Sequence, residues 1–187
     1  MKMKRLTTAK KNWVKYAIGF AVCFAVRLIP FRPPNVEPVM TANMPFSKRF
    51  GYIGGFAFGF LSIALFDVFT RKTGVWTLVT AIAYGLVGIG AAWFFKNRKS
   101  SVRNYATYSV IGTLAYDAAT GLTIGPIFYA QPFMQALIGQ IPFTLMHLAG
   151  NLAFSAILSP LLYSWVVENK SLETDALMLK LKSILPG

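Results

Sequence analysis

Only six of the 187 residues are acidic, and His147 is the only histidine. A transition-metal site, which draws on clustered imidazole, thiolate and carboxylate groups, has almost no donors here. Cys23 is the only cysteine, so no disulfide framework and no Cys-based metal site can form within the chain. The sequence has no Gly-x-x-x-x-Gly-Lys-Ser/Thr segment, which excludes ATP hydrolysis by a phosphate loop. It also has no Gly-x-Ser-Gly nucleophile motif and no second histidine, which argues against a serine hydrolase built on His147 and Asn151. Charge is scarce overall: 13% of residues are Asp, Glu, Lys or Arg, where a soluble domain carries roughly a quarter.

What the chain does have is apolar surface, 55% of residues, with a mean hydropathy of +0.52. That content excludes a disordered chain and argues against a soluble enzyme. Nearly uncharged runs cover Trp13–Pro30, Phe50–Val68, Val75–Phe95, Tyr105–Thr120 and much of Gln131–Val167, and a helix needs about 20 such residues to cross the hydrocarbon core. The first run is not a cleavable signal peptide, because Arg27 and the Pro-rich Phe31–Pro34 follow it in place of a small-residue cleavage site.

The net charge of +13 would point to nucleic acid in a polar protein, but here it reports topology. Asn35–Phe46 is moderately apolar and short. If it crosses the membrane, there are six spans, and with the N-terminus inside, 15 of the 19 basic residues fall on the cytoplasmic side. Only Arg27, Arg32, Arg71 and Lys72 remain outside, as the positive-inside rule requires. Without that crossing the balance becomes 8 inside against 11 outside. The expected architecture is therefore all-α, a polytopic membrane domain at 13–167 of six transmembrane helices with a short or broken second helix. A basic cytoplasmic N-terminus (1–12) and a cytoplasmic amphipathic tail (168–187) flank it. Pro132 and Pro142 predict a short or re-entrant piece before a sixth span from about Pro142 to Val167, and Gly121–Pro126 reads as an outer loop. In the tail, Ser171 is placed to cap a helix to Leu185, with Glu173 and Asp175 in its first turn and Lys180 and Lys182 near its end.

Polar residues in these runs are the candidate functional groups, since ionisable side chains near a bilayer are costly and usually paired, facing a cavity or functional. Asp67 and Asp117 close the third and fifth spans at the outer rim, Asn35 and Glu37 open the short second helix at that level, and Trp76 opens the fourth span. Leu65–Thr70 and Ala115–Thr120 echo each other weakly around the two aspartates, and transporters are often built from repeats. Gln140, Thr144, His147 and Asn151 are spaced 4, 3 and 4 apart, which puts them on one stripe of a helix. Such a stripe either bonds to neighbouring helices or lines a ligand site. On the first span Ala17, Ala21 and Ala25 recur every fourth residue, a face that lets another helix approach closely, either within the bundle or in another subunit.

Size, basic N-terminus, six spans with an irregular early segment, Gly-rich third and fourth spans and the Ala17-xxx-Ala21-xxx-Ala25 face together resemble the substrate-binding S components of energy-coupling factor (ECF) transporters. The likeness runs from Trp13 to about Asn169. It implies a non-enzymatic subunit of a prokaryotic cell membrane importer that needs no cofactor. Such a subunit takes a vitamin-like small molecule from outside and works with a transmembrane coupling subunit and two cytosolic ATPases. It also implies that the three alanines dock on the coupling subunit. The ligand pocket would be outer, drawing on Asn35, Glu37, Asp67, Trp76, Tyr116, Asp117, Gln140, Thr144, His147 and Asn151. The local acids favour an amine-bearing or nitrogen-heterocyclic ligand over an anionic one. A stand-alone carrier, an intramembrane enzyme using His147 and Asp117 as acid and base, and an assembly protein are the other readings.

Overall fold

The first apolar run becomes helix α1 (Trp13–Arg27) in the computed structural model, which describes residues 12–31 and 38–184. Asn35 and Glu37, with Arg32, lie outside the described residues. Lys15, Gly19 and Cys23, four apart, form the buried side of α1, while Ala17, Ala21 and Ala25 are exposed on the other. The two stripes differ by two positions, about half a helical turn, so one helix can serve both.

Helix α2 (Val39–Phe69) consists of two arms joined at Gly51, where φ is 72° and ψ is −163°. No neighbour crowds a Cβ at this position, so the left-handed backbone itself calls for glycine. The chain doubles back there. Phe46 and Phe58 stack with ring centroids 4.3 Å apart, and a Cβ on Gly59 would lie 2.7 Å from Asn43 Nδ2, whereas in a straight helix those residues would be about 24 Å apart. The expected short helix and third span are thus the two arms of one hairpin. Every residue of the first arm from Val39 to Ser47 is buried, making it a central strut.

That burial satisfies the demand that polar groups at membrane depth find protein partners. Asn43 Nδ2 donates to Tyr84 O at 3.2 Å, Ser47 Oγ donates to Asn43 Oδ1 at 3.1 Å, and Ser159 Oγ donates to Thr41 O at 2.8 Å. The second arm lies against α3 (Val75–Phe95) at near backbone contact, since a Cβ on Gly88 would stand 2.2 Å from Gly55 O. Only paired small residues permit this approach.

Helix α4 (Val102–Gly121) starts at Ser101, whose side chain accepts from Asn104 N. A five-residue α5 (Ile124–Phe128) occupies the expected outer loop, and α6 (Phe133–Leu162) runs on through a π-helical turn at Tyr163–Val167. The break expected between Pro132 and Pro142 is absent: Pro142 lies inside α6, where the loss of one backbone bond is tolerated more readily than in water-soluble helices. With 30 residues, α6 is about 45 Å long, more than the hydrocarbon core of about 30 Å requires.

Lys15 Nζ donates to Val167 O at 2.9 Å and lies 3.9 Å from Glu173, so the start of α1 and the end of α6 share one end of the bundle. The tail differs from expectation in its cap. Asn169 rather than Ser171 supplies the capping side chain, to a 3-10 turn at Lys170–Leu172, and α7 begins only at Thr174 and ends at Ile184. Among the described residues there is no strand. Among the described residues three helices, Val39–Phe69, Val75–Phe95 and Phe133–Val167, are long and apolar enough to cross a membrane.

Candidate ligand-binding site

The turn from α2 to α3 builds one wall. Lys72 N donates to Asp67 O at 2.9 Å and Arg71 N to Val68 O at 3.2 Å, the paired bonds of a helix end closed by a left-handed residue. Arg71 takes that place, at φ 56°, at a cost of about 1–2 kcal/mol relative to ordinary helical geometry. This turn sets Asp67 and Lys72 beside the same cavity. Asp67 Oδ2 accepts from Thr77 Oγ1 at 2.7 Å, and Thr77 Oγ1 accepts from Gly74 N at 3.1 Å. Trp76 folds over Gly74, where a Cβ would lie 2.5 Å from the indole, and its Nε1 donates to Lys72 O at 3.2 Å.

The opposite wall comes from α4 and α6. His147 Nδ1 and Asp117 Oδ1 are 2.7 Å apart, both side chains buried. In the tautomer that carries the proton on Nδ1, the ring donates to the Asp117 carboxyl and Nε2 is left as an acceptor. His147 Nε2 and Asp117 Oδ2 have no hydrogen-bond partner among the described residues. Tyr116 and Phe143 meet the imidazole edge-on at centroid distances of 5.8 and 6.0 Å, and Tyr84 backs Tyr116 at 4.1 Å. From α1, Arg27 reaches across: its guanidinium carbon lies 3.8 Å over the Phe66 ring, and Nη1 donates to Ser62 O at 3.2 Å.

These side chains enclose about 380 Å³, lined by Arg27, Ile63, Phe66, Asp67, Lys72, Trp76, Thr80, Tyr116, Phe143 and His147. The volume lies within the usual range for small-molecule sites, and the wall divides between four aromatic rings, Phe66, Trp76, Tyr116 and Phe143, and five polar or charged side chains, Arg27, Asp67, Lys72, Thr80 and His147. Of the residues singled out from sequence, Asp67, Trp76, Tyr116 and His147 meet here, with Asp117 directly behind His147. Gln140, Thr144 and Asn151 are not among the lining, and Asn35 and Glu37 lie outside the described residues. Gln140 Nε2 donates to Thr144 Oγ1 at 3.1 Å, with Gln140 against Gly121, and Asn151 Nδ2 donates to Thr113 Oγ1 at 2.8 Å between α6 and α4.

Arg27, Phe66, Lys72, Thr80 and Phe143 were not foreseen as lining. Faint signals existed for some of them: Arg27 interrupts the end of an apolar run, Phe66 adjoins Asp67, and Phe143 precedes His147 by four residues. The lining carries charge of both signs, Arg27 and Lys72 beside Asp67.

Residues 7–168 match the family described as ECF-type riboflavin transporter, S component. The chain belongs to this family. An S component is a substrate-binding transporter subunit and not an enzyme, so the His147–Asp117 pair has no acid–base turnover to perform. As a membrane protein of this family, the chain places its cavity where α1, α2, α3, α4 and α6 converge. The matched span ends at Glu168, so the tail helix α7 lies beyond it. No curated protein and no solved structure matches the chain.

Proposed function

We propose that this S component captures riboflavin, or a similarly flat, uncharged nitrogen heterocycle, from the outer face of a prokaryotic cell membrane. It then delivers the ligand inward together with a coupling subunit and two cytosolic ATPases. The observation that carries the substrate reading is the cavity wall. Phe66, Trp76, Tyr116 and Phe143 surround it with ring faces and edges, while His147 Nε2 lacks a partner among the described residues. A heteroaromatic ring bearing N–H and C=O groups along one edge can stack on such rings and donate to that imidazole nitrogen. The mixed charges of Asp67, Arg27 and Lys72 suit a neutral ligand better than the amine considered from sequence.

The outer placement follows from the charge count. The cavity end carries Arg27, Arg71 and Lys72, and the far ends of the helices carry most of the remaining basic residues. Six spans with both termini cytoplasmic agree with the shared end of α1 and α6. Exposure of Ala17, Ala21 and Ala25 supports a docking face for the coupling subunit, because these small residues are not consumed by packing within the bundle.

Titration of the purified protein against riboflavin, read by quenching of flavin fluorescence on stacking, tests the substrate. Saturable quenching is expected, and Trp76→Ala should weaken it about tenfold or more, the loss of one aromatic contact of about 1.5 kcal/mol. A folded protein that shows no saturable quenching overturns the reading.

A further inference from the structure

At the far end of α3, 21 residues from the ligand site and hence about 30 Å away, the bundle carries a second cavity. It is an open groove of about 520 Å³ lined by Arg98, Lys99, Ser101, Arg103, Asn104 and Thr107, with no acidic side chain among them. None of its three cations has an ion-pair partner among the described residues. The neutral groups are already committed. Asn104 Nδ2 donates to Lys99 O at 2.8 Å, Thr107 Oγ1 donates to Arg103 O at 2.9 Å, and Ser101 Oγ caps α4. They hold the shape of the loop, while the Arg98 guanidinium is steadied 4.2 Å over the Phe94 ring. Lys48, from the tip of the α2 hairpin, donates to Arg98 O and fixes the loop to the hairpin. The site therefore gathers three exposed cations from the loop and the first turn of α4, with Arg98 held in place over a ring.

Its flank decides the kind of anion. Trp93, 72% exposed, lies one turn before the loop, and Val102, 49% exposed, opens α4. An exposed indole at the same helix end as a set of cations is the arrangement found where a membrane protein meets the headgroup layer. A soluble phosphate would need only the cations, whereas a phospholipid would also use the apolar flank for its acyl chains. We propose that the Arg98–Lys99–Arg103 cavity binds the headgroup of an anionic phospholipid such as phosphatidylglycerol. The inference is independent of which molecule occupies the other cavity.

The test is native mass spectrometry of the full chain released from micelles containing equal phosphatidylglycerol and phosphatidylcholine, with the thermal unfolding transition of the same samples as the check on folding. One phosphatidylglycerol should be retained in preference to phosphatidylcholine. Arg98→Gln/Arg103→Gln should lower that retention by about tenfold or more, at roughly fivefold per cation. Lys170→Gln/Lys180→Gln, which removes equal charge from the exposed tail, should leave it unchanged. Three results would overturn the site: equal retention by the Arg98/Arg103 variant, equal loss in the tail variant, or full displacement by millimolar glycerol phosphate, the last of which would indicate a free-anion site.

Discussion

His147 and Asp117 hold each other inside the protein at 2.7 Å, and neither is easily spared. Removing His147 leaves the buried Asp117 carboxyl without its hydrogen-bond partner, at a cost of about 1–3 kcal/mol or more. His147→Ala should therefore lower thermal stability in detergent markedly, and adding Asp117→Leu should restore most of it by removing the stranded carboxylate. A double variant no more stable than the single would show that the two side chains are not coupled. Asn151 and Thr113 differ: their neutral bond at 2.8 Å belongs to a class averaging about 0.6 kcal/mol in membranes. The polar stripe from Gln140 to Asn151 was legible because its spacing follows the helical repeat. Which stripe members face the cavity was not, because Gln140 and Thr144 bond to each other and Asn151 bonds to Thr113, choices fixed by neighbouring chain.

Among the helices, α1 divides its labour most cleanly. Lys15, Gly19 and Cys23 face inward, and a Cβ on Gly19 would lie 2.6 Å from the Phe46 ring, so that side cannot change without moving the hairpin. Ala17, Ala21 and Ala25 face outward and can. Ala21→Trp should leave stability and ligand binding near wild type but abolish co-purification of the coupling and ATPase subunits. Unchanged co-purification would remove the docking role. The short second helix was legible from charge counting alone, since no hydropathy criterion would have found it. Its reversal at Gly51 was not, because the fold-back depends on one backbone angle and on the fit of Asn43 against Gly59 and Gly88. Pro142 misled for a related reason: inside a bundle its missing donor does not end α6.

The molecule is polarised along its helices, with the cavity of Trp76 and His147 at one end and, at the other, cations that have no ion-pair partner among the described residues. Cys23 is buried, so single-cysteine labelling can test the orientation with the native thiol silent. Lys72→Cys should react with a membrane-impermeant maleimide in intact cells and Lys96→Cys only after permeabilisation; the reverse pattern would invert the bundle. Between the two ends stands the first arm of α2, and its position constrains how the protein is made. The Asn43 amide finds its partner at Tyr84, 41 residues later, and the Thr41 carbonyl at Ser159, 118 residues later. A ribosome releases them in that order, so the strut emerges long before the groups that shelter its polar atoms. Lipid offers those atoms no substitute. The strut must therefore wait near the membrane surface or in the insertion machinery until α6 has been synthesised, and a chain truncated before Ser159 would leave this segment unassembled and open to quality-control proteases.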